Sequence, residues 1–572
     1  MMIEFITIPG VILILGAAVI SFFSEKIRPA LFLAFPVIAA VVILTRPENY
    51  TVTGSLLNYD LVLMQTDALS NLFGIVFALG ALLAGIYAYH MKELGQQISA
   101  LTYAGGALGV VYAGDLLTLI IYWEIMALAS TWLIWARRTP ETDASGMRYL
   151  IYHILGGGLL FAGILWHSVV EESIAVESIP MEYTPANILM LLGVAVNTAI
   201  IPLHTWLSDA YPKATQTGTI FMSIFTTKTA VYVLIRMFAG WELLIFFGAA
   251  MAVYGIYYAV ICKDMREILS YHIISQVGYM VCAVGIGTDL ALNGAAAHAY
   301  NNILYKSLMF MAVTAVMYSA GSSKMFHLGG LYKKLPWVLG LYVVGGLSIS
   351  GIPLFAGFIS KGMVIDAAGY GGYETIMLVL LVASVGTWLS VGLKLPYFTW
   401  FDKEEYTGEL KPIPVNMYIA MGILAFACIF YGVFPNALYT FLPFETGYEP
   451  YTVYHIVEIL QIALLTFVAF WFLRKKLAPE LTTVLDLDWF YRKAAPAVRR
   501  VFVFRVDRFY DDVEEAILAM ARFLSEKFKN PMQWLNPFTD KKNEASRYSP
   551  SMEVVMSFII LSFLVFAIVY FI

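Results

Sequence analysis

Long apolar runs separated by short polar stretches recur along most of the chain. Residues 5–23, 70–89, 149–170 and 551–572 each hold roughly 20 residues with few charges, the length a bilayer core demands. The runs lack the period-two alternation of the ~10-residue strands in a membrane barrel. They therefore predict helices, which satisfy their own backbone groups in lipid. Spans are expected at 5–23, 29–45, 70–90, 97–113, 115–136, 147–170, 186–203, 215–239, 242–262, 267–287, 291–319, 336–358, 373–400, 413–435, 455–473 and 551–572. The expected fold is an all-α polytopic membrane protein with about sixteen transmembrane helices. The first run has no small-x-small cleavage site and further runs follow at once, so it reads as a retained helix and not a secretory signal.

Loop charge supports this layout. Alternate loops carry Lys26 and Arg28, then Lys92, then Arg137, Arg138 and Arg148, then Lys213, Lys263, Arg266 and Lys324, and finally Arg474, Lys475 and Lys476. The intervening loops 171–185 and 436–454 hold glutamates (Glu171, Glu172, Glu177, Glu182; Glu445, Glu449) and no basic residue. The positive-inside rule then places the basic loops in the cytoplasm and the N-terminus outside, in an inner (plasma) membrane.

Residues 475–550 form the one extended polar stretch. Within it, 502–528 has apolar residues at helical spacing beside a charged face (Arg505, Asp507, Arg508, Asp511, Asp512, Glu514, Glu515, Arg522), which fits an amphipathic helix on the membrane surface. A solvated cytoplasmic tail fits equally well. A final span at 551–572 would tether the stretch.

Composition agrees: 60% of the 572 residues are hydrophobic and 13% charged, well under the ~25% charged of soluble domains, and mean hydropathy is +0.75. Cys262, Cys282 and Cys428 are isolated, and the eight histidines form no HExxH. No metal or iron–sulfur site and no cofactor is expected, so redox chemistry would belong to another subunit.

The candidate chemistry lies inside the apolar runs. Glu124 sits mid-way through 116–133, where an ionisable group costs about 2.5–3.5 kcal/mol on insertion scales. Lys228 lies in 221–235 among Thr226, Thr227 and Thr229. Desolvation penalises a charged lysine, so a lysine in such a place can load and release a proton. Pairing with Glu124 as a structural ion pair is the plainer alternative, and the two are compatible. His298, Asn302 and Lys306 are spaced by four and share one helical face, a plausible hydrogen-bonded proton path. Lys361 follows Pro353 and Gly357, residues that can break a membrane helix where the freed backbone lines a cavity. Lys394 is a further candidate, although near a helix end it could equally snorkel to the interface. Ile201-Pro202-Leu203 recurs as Ile352-Pro353-Leu354. The spacing leaves five helices per unit, an odd number, so two such units would be inverted.

Taken in order, these segments carry a family resemblance. They are Tyr122-Trp123-Glu124, Ile201-Pro202-Leu203-His204-Thr205-Trp206-Leu207, Lys228 with Tyr232 and Arg236, Asp264-Met265-Arg266 leading to Ser270-Tyr271, Ser275-Gln276-Val277-Gly278-Tyr279, Tyr305-Lys306-Ser307-Leu308-Met309-Phe310, and Gly351-Ile352-Pro353 through Gly357-Phe358 to Ser360-Lys361. The chain resembles, over about residues 65–400, the antiporter-like subunit family shared by Mrp-type sodium/proton antiporters, respiratory complex I and membrane-bound hydrogenases, and within it the D-type subunit of the Mrp antiporters. The resemblance implies two inverted five-helix repeats, 97–239 and 242–400, each with a broken helix. N-terminal helices (1–96), C-terminal helices (401–474), the polar segment (475–550) and the final helix (551–572) would flank them.

Carried over residue by residue, the resemblance implies a proton relay of Glu124, Lys228, His298, Lys306 and Lys361. Asn197, His204, Asn302 and Lys394 are further candidates for relay or modulation. Two positions depart from the family pattern. Asn197 stands where a lysine usually pairs with the glutamate, and Asn302 where a second histidine is frequent. Asparagine can hydrogen-bond but cannot carry charge.

The implied function is transport rather than catalysis. The chain would be a proton- or sodium-translocating subunit of a multi-subunit antiporter, partnered by other membrane subunits, H+, Na+ and lipid, with no nucleic acid. A proton-pumping membrane-arm subunit of a redox complex is the main alternative. A non-conducting scaffold or energising partner is a third, favoured by Asn197.

Overall fold

In lipid each backbone N–H and C=O needs a protein partner, and helices supply it within one segment. The computed structural model describes residues 2–56, 59–402, 406–479 and 484–529 and divides into two units, Met1–Val484 and Leu485–Ile572. The first unit opens with α1 (Met2–Ile6), α2 (Pro9–Ile20) and α3 (Arg28–Thr45), then a hairpin of β1 (Thr51–Leu56) and β2 (Tyr59–Gln65). Helices α4 (Ala68–Tyr87), α5 (Leu94–Tyr112), α6 (Leu116–Trp135), α7 (Pro140–Val170) and α8 (Pro185–Thr198) follow, then α9 (Thr205–Ala210), α10 (Gln216–Ile224) and α11 (Thr226–Met237). Next come α12 (Leu243–Ile261), α13 (Met265–Ile286), α14 (Asp289–Ala320), α15 (Pro336–Ser350), α16 (Ala356–Tyr370) and α17 (Glu374–Thr387), the last running into π-helical turns at Trp388–Lys394 and Tyr397–Phe401. Helices α18 (Val415–Val433), α19 (Asn436–Tyr439) and α20 (Val453–Leu473) complete the unit.

Among the described residues, eleven helices are long and apolar enough to cross a membrane, and three shorter apolar helices, Pro9–Ile20, Pro185–Thr198 and Pro336–Ser350, accompany them. The run expected at 97–113 is α5, whose first turns carry Gln96, Gln97 and Ser99. The run expected at 551–572 lies outside the described residues.

Several expected spans are interrupted. The run at 186–203 stops at Thr198, where Ala199 turns left-handed (φ 61°). The run at 336–358 stops at Ser350, followed by left-handed Gly351 (φ 73°) and Leu354 (φ 75°). Proline explains both, because Pro202 and Pro353 lack an N–H to continue the ladder. The run at 215–239 parts at Phe225 into α10 and α11 with neither proline nor glycine at the junction.

Burial separates a centre from a rim. Helices α10, α11 and α13 are buried throughout and α14 nearly so, whereas α3, α7, α18 and α20 expose much of their apolar surface. The central helices are also the ones that carry polar residues. Small residues permit their close approach: a Cβ on Gly278 of α13 would lie 2.6 Å from the backbone nitrogen of Ala252 in α12, and one on Gly248 would meet the backbone at Cys282.

The hairpin lies in 46–69, the stretch left between the expected spans 29–45 and 70–90. Its β-favouring Thr51-Val52-Thr53 and Leu61-Val62-Leu63 are too short to span and pair in antiparallel register, Thr51 opposite Gln65 and Leu56 opposite Tyr59. It docks through Asp115, the N-cap of α6. Asp115 accepts from Val62 N (2.9 Å), Thr118 N (2.7 Å) and the Thr118 hydroxyl (2.7 Å). Asp115→Ala strands these donors and is expected to destabilise the protein by about 1–3 kcal/mol, read as a lower Tm of the detergent-solubilised chain.

In the second unit, α21 (Asp488–Val498) carries an Asp488–Arg492 ion pair at 2.6 Å, and α22 (Phe504–Phe528) follows π-helical turns at Arg499–Val503. Phe509, Val513, Ile517 and Leu524 line one side of α22 and charged residues another, the amphipathic helix expected for 502–528. Residues 530–550 of the expected polar segment lie outside the described residues.

Candidate functional site

Four lysines are buried inside the helix bundle, and each is held by backbone carbonyls. Lys228 Nζ donates to Ser223 O (2.8 Å), Lys306 Nζ to Leu269 O (2.9 Å) and Lys361 Nζ to Ile349 O (3.0 Å). Lys394 Nζ donates to the carbonyls of Cys262 (2.8 Å) and Val260. Three of these carbonyl groups sit at interruptions. Ser223 precedes the break at Phe225, Ile349 ends α15, and Cys262 caps α12. A broken helix leaves carbonyls without an N–H partner, and the lysines occupy them. Lys228 and Lys306 are fully buried and Lys361 and Lys394 are each 2% exposed, so Lys394 is sealed rather than extended to the surface. Among the described residues none of the four forms an ion pair.

The second half holds a continuous polar string. Gln276 Oε1 accepts from Tyr305 Oη (3.4 Å), Asn302 Nδ2 donates to the same phenol (2.9 Å), and Tyr305 Oη meets His298 Nε2 (3.4 Å). His298 Nδ1 then reaches Ser360 Oγ (3.1 Å), the residue before Lys361. The four-residue spacing thus does bring His298 and Asn302 together, through Tyr305, while Lys306 turns from them to Leu269. His272 of α13 is bonded to Ser390 Oγ (2.7 Å). Ser275 Oγ, Gln276 Nε2, His272 Nδ1, Asn302 Oδ1 and Ser307 Oγ are buried here without a protein partner. Buried polar atoms of this kind bind ordered water.

The first half is arranged differently. Glu124 is half-buried and lies against Gly157 of α7, where any Cβ would collide with its carboxylate. Among the described residues it makes no hydrogen bond or ion pair, so the structure does not unite it with Lys228. Asn197 is fully buried and bonds His153 Nδ1 through its Oδ1 (2.7 Å). His153, one turn before Gly157 on α7, is itself fully buried and lies against Tyr149, with ring centroids 4.1 Å apart and the planes tilted by 51°. Tyr149 joins Ser130 (2.8 Å), and Tyr103 bonds Thr226 (2.5 Å), two residues before Lys228. His204 is buried with its ring centroid 4.7 Å from that of Tyr254.

Two crevices open in this unit. One is lined by Lys361, Asp366, Tyr448, His455 and Glu458. The other is lined by His90, Gln96, Arg137, Thr215 and Thr217 at the start of α10. Burial holds His90, in the loop after α4, below the usual imidazole range.

Residues His153, His272, Gln276, Tyr305 and Ser360 were not candidates from sequence. For Tyr305 a signal existed: it is seven residues from His298 and shares its helical face.

Residues 113–389 match the family described as NADH:quinone oxidoreductase/Mrp antiporter, TM. The D subunit of the Na(+)/H(+) antiporter of Alkalihalophilus pseudofirmus is 29% identical over 323 residues, 53% of this chain and 65% of that protein. The N subunit of the NADH-quinone oxidoreductase of Desulforudis audaxviator is 30% identical over 304 residues, 49% of this chain and 60% of that protein. The chain thus matches less than two thirds of the length of either relative. A chain in the solved Mrp complex from Dietzia sp. has the same fold, with a TM-score of 0.64 at 21% identity over 82% of this chain and 95% of that one.

Proposed function

We propose that this chain, an antiporter-like membrane subunit carrying the NADH:quinone oxidoreductase/Mrp antiporter transmembrane domain over residues 113–389, moves protons within a multi-subunit Mrp-type monovalent cation/proton antiporter. The observation that carries the reading is the string Gln276–Tyr305–His298–Ser360 leading to Lys361, with Lys306 and Lys228 buried alongside. Amine, imidazole, phenol and hydroxyl groups can each pass a proton, while a fixed ammonium repels a bare metal cation. The proton is therefore assigned to this chain, and the exchanged cation, sodium by analogy with the Alkalihalophilus protein, to partner subunits.

In this reading protons enter by the crevice at Gln96 and Thr217, pass Lys228 and Lys306, and reach Lys361. The two repeats, 97–239 and 242–400, each supply half of the path. His153, bonded to Asn197, provides a titratable group where the family resemblance leads one to expect lysine, and Glu124 biases the first half from the side of α7. Lys394 is a reserve site at the end of the second repeat. The basic loops face the cytoplasm across the inner membrane.

The test is proton uptake by vesicles reconstituted with the purified complex. Lys228→Ala is expected to slow uptake by about tenfold or more, toward the scale on which positioned proton-transfer groups act. Wild-type uptake by a fully assembled variant overturns the reading. The similarity to a quinone oxidoreductase protein favours a second reading, a proton-pumping arm of a redox complex. Iron–sulfur or hydrogenase subunits co-purifying with the chain would select it.

A further inference from the structure

Resting on the proton-carrying reading, we propose that Asp366, Tyr448, His455 and Glu458 form the gate through which Lys361 exchanges its proton with the face of the molecule bearing residues 436–454. These four side chains and Lys361 line one crevice. Asp366 lies five residues beyond Lys361 on α16, about 7.5 Å along the helix axis. His455 and Glu458 are three apart on α20 and share its face. Tyr448 Oη donates to Asp366 Oδ2 at 2.6 Å, and His455 Nε2 lies 3.2 Å from the same oxygen. Gly362 permits this approach, because a Cβ there would stand 2.6 Å from Tyr448 Oη. Tyr454 bonds Glu458 (3.3 Å) at the outer edge of the group.

The hydrogen-bond pattern itself defines a proton station. His455 Nδ1 lies 3.1 Å from the carbonyl oxygen of Pro450. A carbonyl only accepts, so Nδ1 carries a hydrogen. Nε2 then faces a carboxylate oxygen, and a hydrogen bond there requires one further proton between them. Either His455 holds it as imidazolium or Asp366 holds it as the acid. A proton arriving from Lys361 can therefore be taken up by the Asp366–His455 pair, giving imidazolium beside the protonated acid, and the pair then returns one proton to water on its exposed side. Charge is conserved at each transfer. Both side chains are about 15% exposed, so they are sheltered from bulk solvent yet reach the crevice. None of these residues sits mid-span in a way that marks it in the sequence; α16 and α20 bring them together.

The experiment uses the intact complex in proteoliposomes. Asp366→Asn with His455→Gln is expected to slow proton transport by about tenfold. This is less than the ~100-fold of a sealed proton-transfer group, because water can enter the crevice. His455→Ala is expected to be slowed alone and to recover in part on adding imidazole, which a purely structural defect would not do. Lys306→Ala is the reference. If it abolishes transport while the gate variants assemble and run at the wild-type rate, the gate is overturned and the proton-carrying reading stands. If Lys306→Ala also transports normally, that reading falls with the gate.

Discussion

Replacing Lys306 with alanine is expected to abolish proton transport by the assembled complex, a loss of about 100-fold or more. Lys306 is fully buried and its ammonium is held by a single carbonyl at Leu269, inside α13. In the proposed path alanine removes the step between the two halves while leaving the α13 backbone ladder intact. Lys306→Arg separates charge from titration: the guanidinium keeps the positive charge at all accessible pH but cannot release a proton. It is therefore expected to fail as alanine does, despite preserving the local electrostatics. Dye-reported acidification of vesicles, normalised to assembled complex, is the measurement. Normal rates for either variant would remove Lys306 from the path.

The lysines were legible because an ionisable group inside an apolar run is conspicuous and expensive. The face shared by His298 and Asn302 was legible from helical period alone. Tyr305, which joins them, shares that face at seven residues from His298, but its tie to Gln276 is set only by the packing of α13 against α14. His153 sat in the run 149–170 beside His167 with nothing to set it apart, and its meaning depends on Asn197, 44 residues away. The gate residues were invisible for the same reason, since Asp366 and His455, 89 positions apart in the chain, meet only in the folded molecule. The breaks at Pro202 and Pro353 were foreshadowed by their prolines, whereas the break at Phe225 has no local signal. That break is stabilised from outside the backbone, by Lys228 taking the carbonyl of Ser223. Local pattern reveals where the chemistry is dear, and tertiary contact decides which groups exchange.

Gly357→Val is expected to cause the largest loss of stability among substitutions at the second helix break. Gly357 opens α16, and a Cβ there would fall on the carbonyl oxygen of Ser348 in α15. The obstruction is backbone rather than the mobile tip of a side chain, so it cannot swing aside. Its N–H also bonds Ser348 Oγ at 3.3 Å, which holds the two half-helices together. Overpacking a close contact costs typically about 1–3 kcal/mol and occasionally more, and a backbone clash belongs at the upper end. The functional effect should exceed the stability effect. Ile349, next to Ser348, supplies the carbonyl that holds Lys361 at 3.0 Å, so forcing α15 and α16 apart moves the lysine from its acceptor. Gly340→Ala is the control. It lies on the same α15, where an added Cβ meets nothing within 4 Å, and it should leave both Tm and transport near wild type. Gly357→Val with an unchanged Tm and full transport would mean that the break yields freely, and that the position of Lys361 does not depend on it.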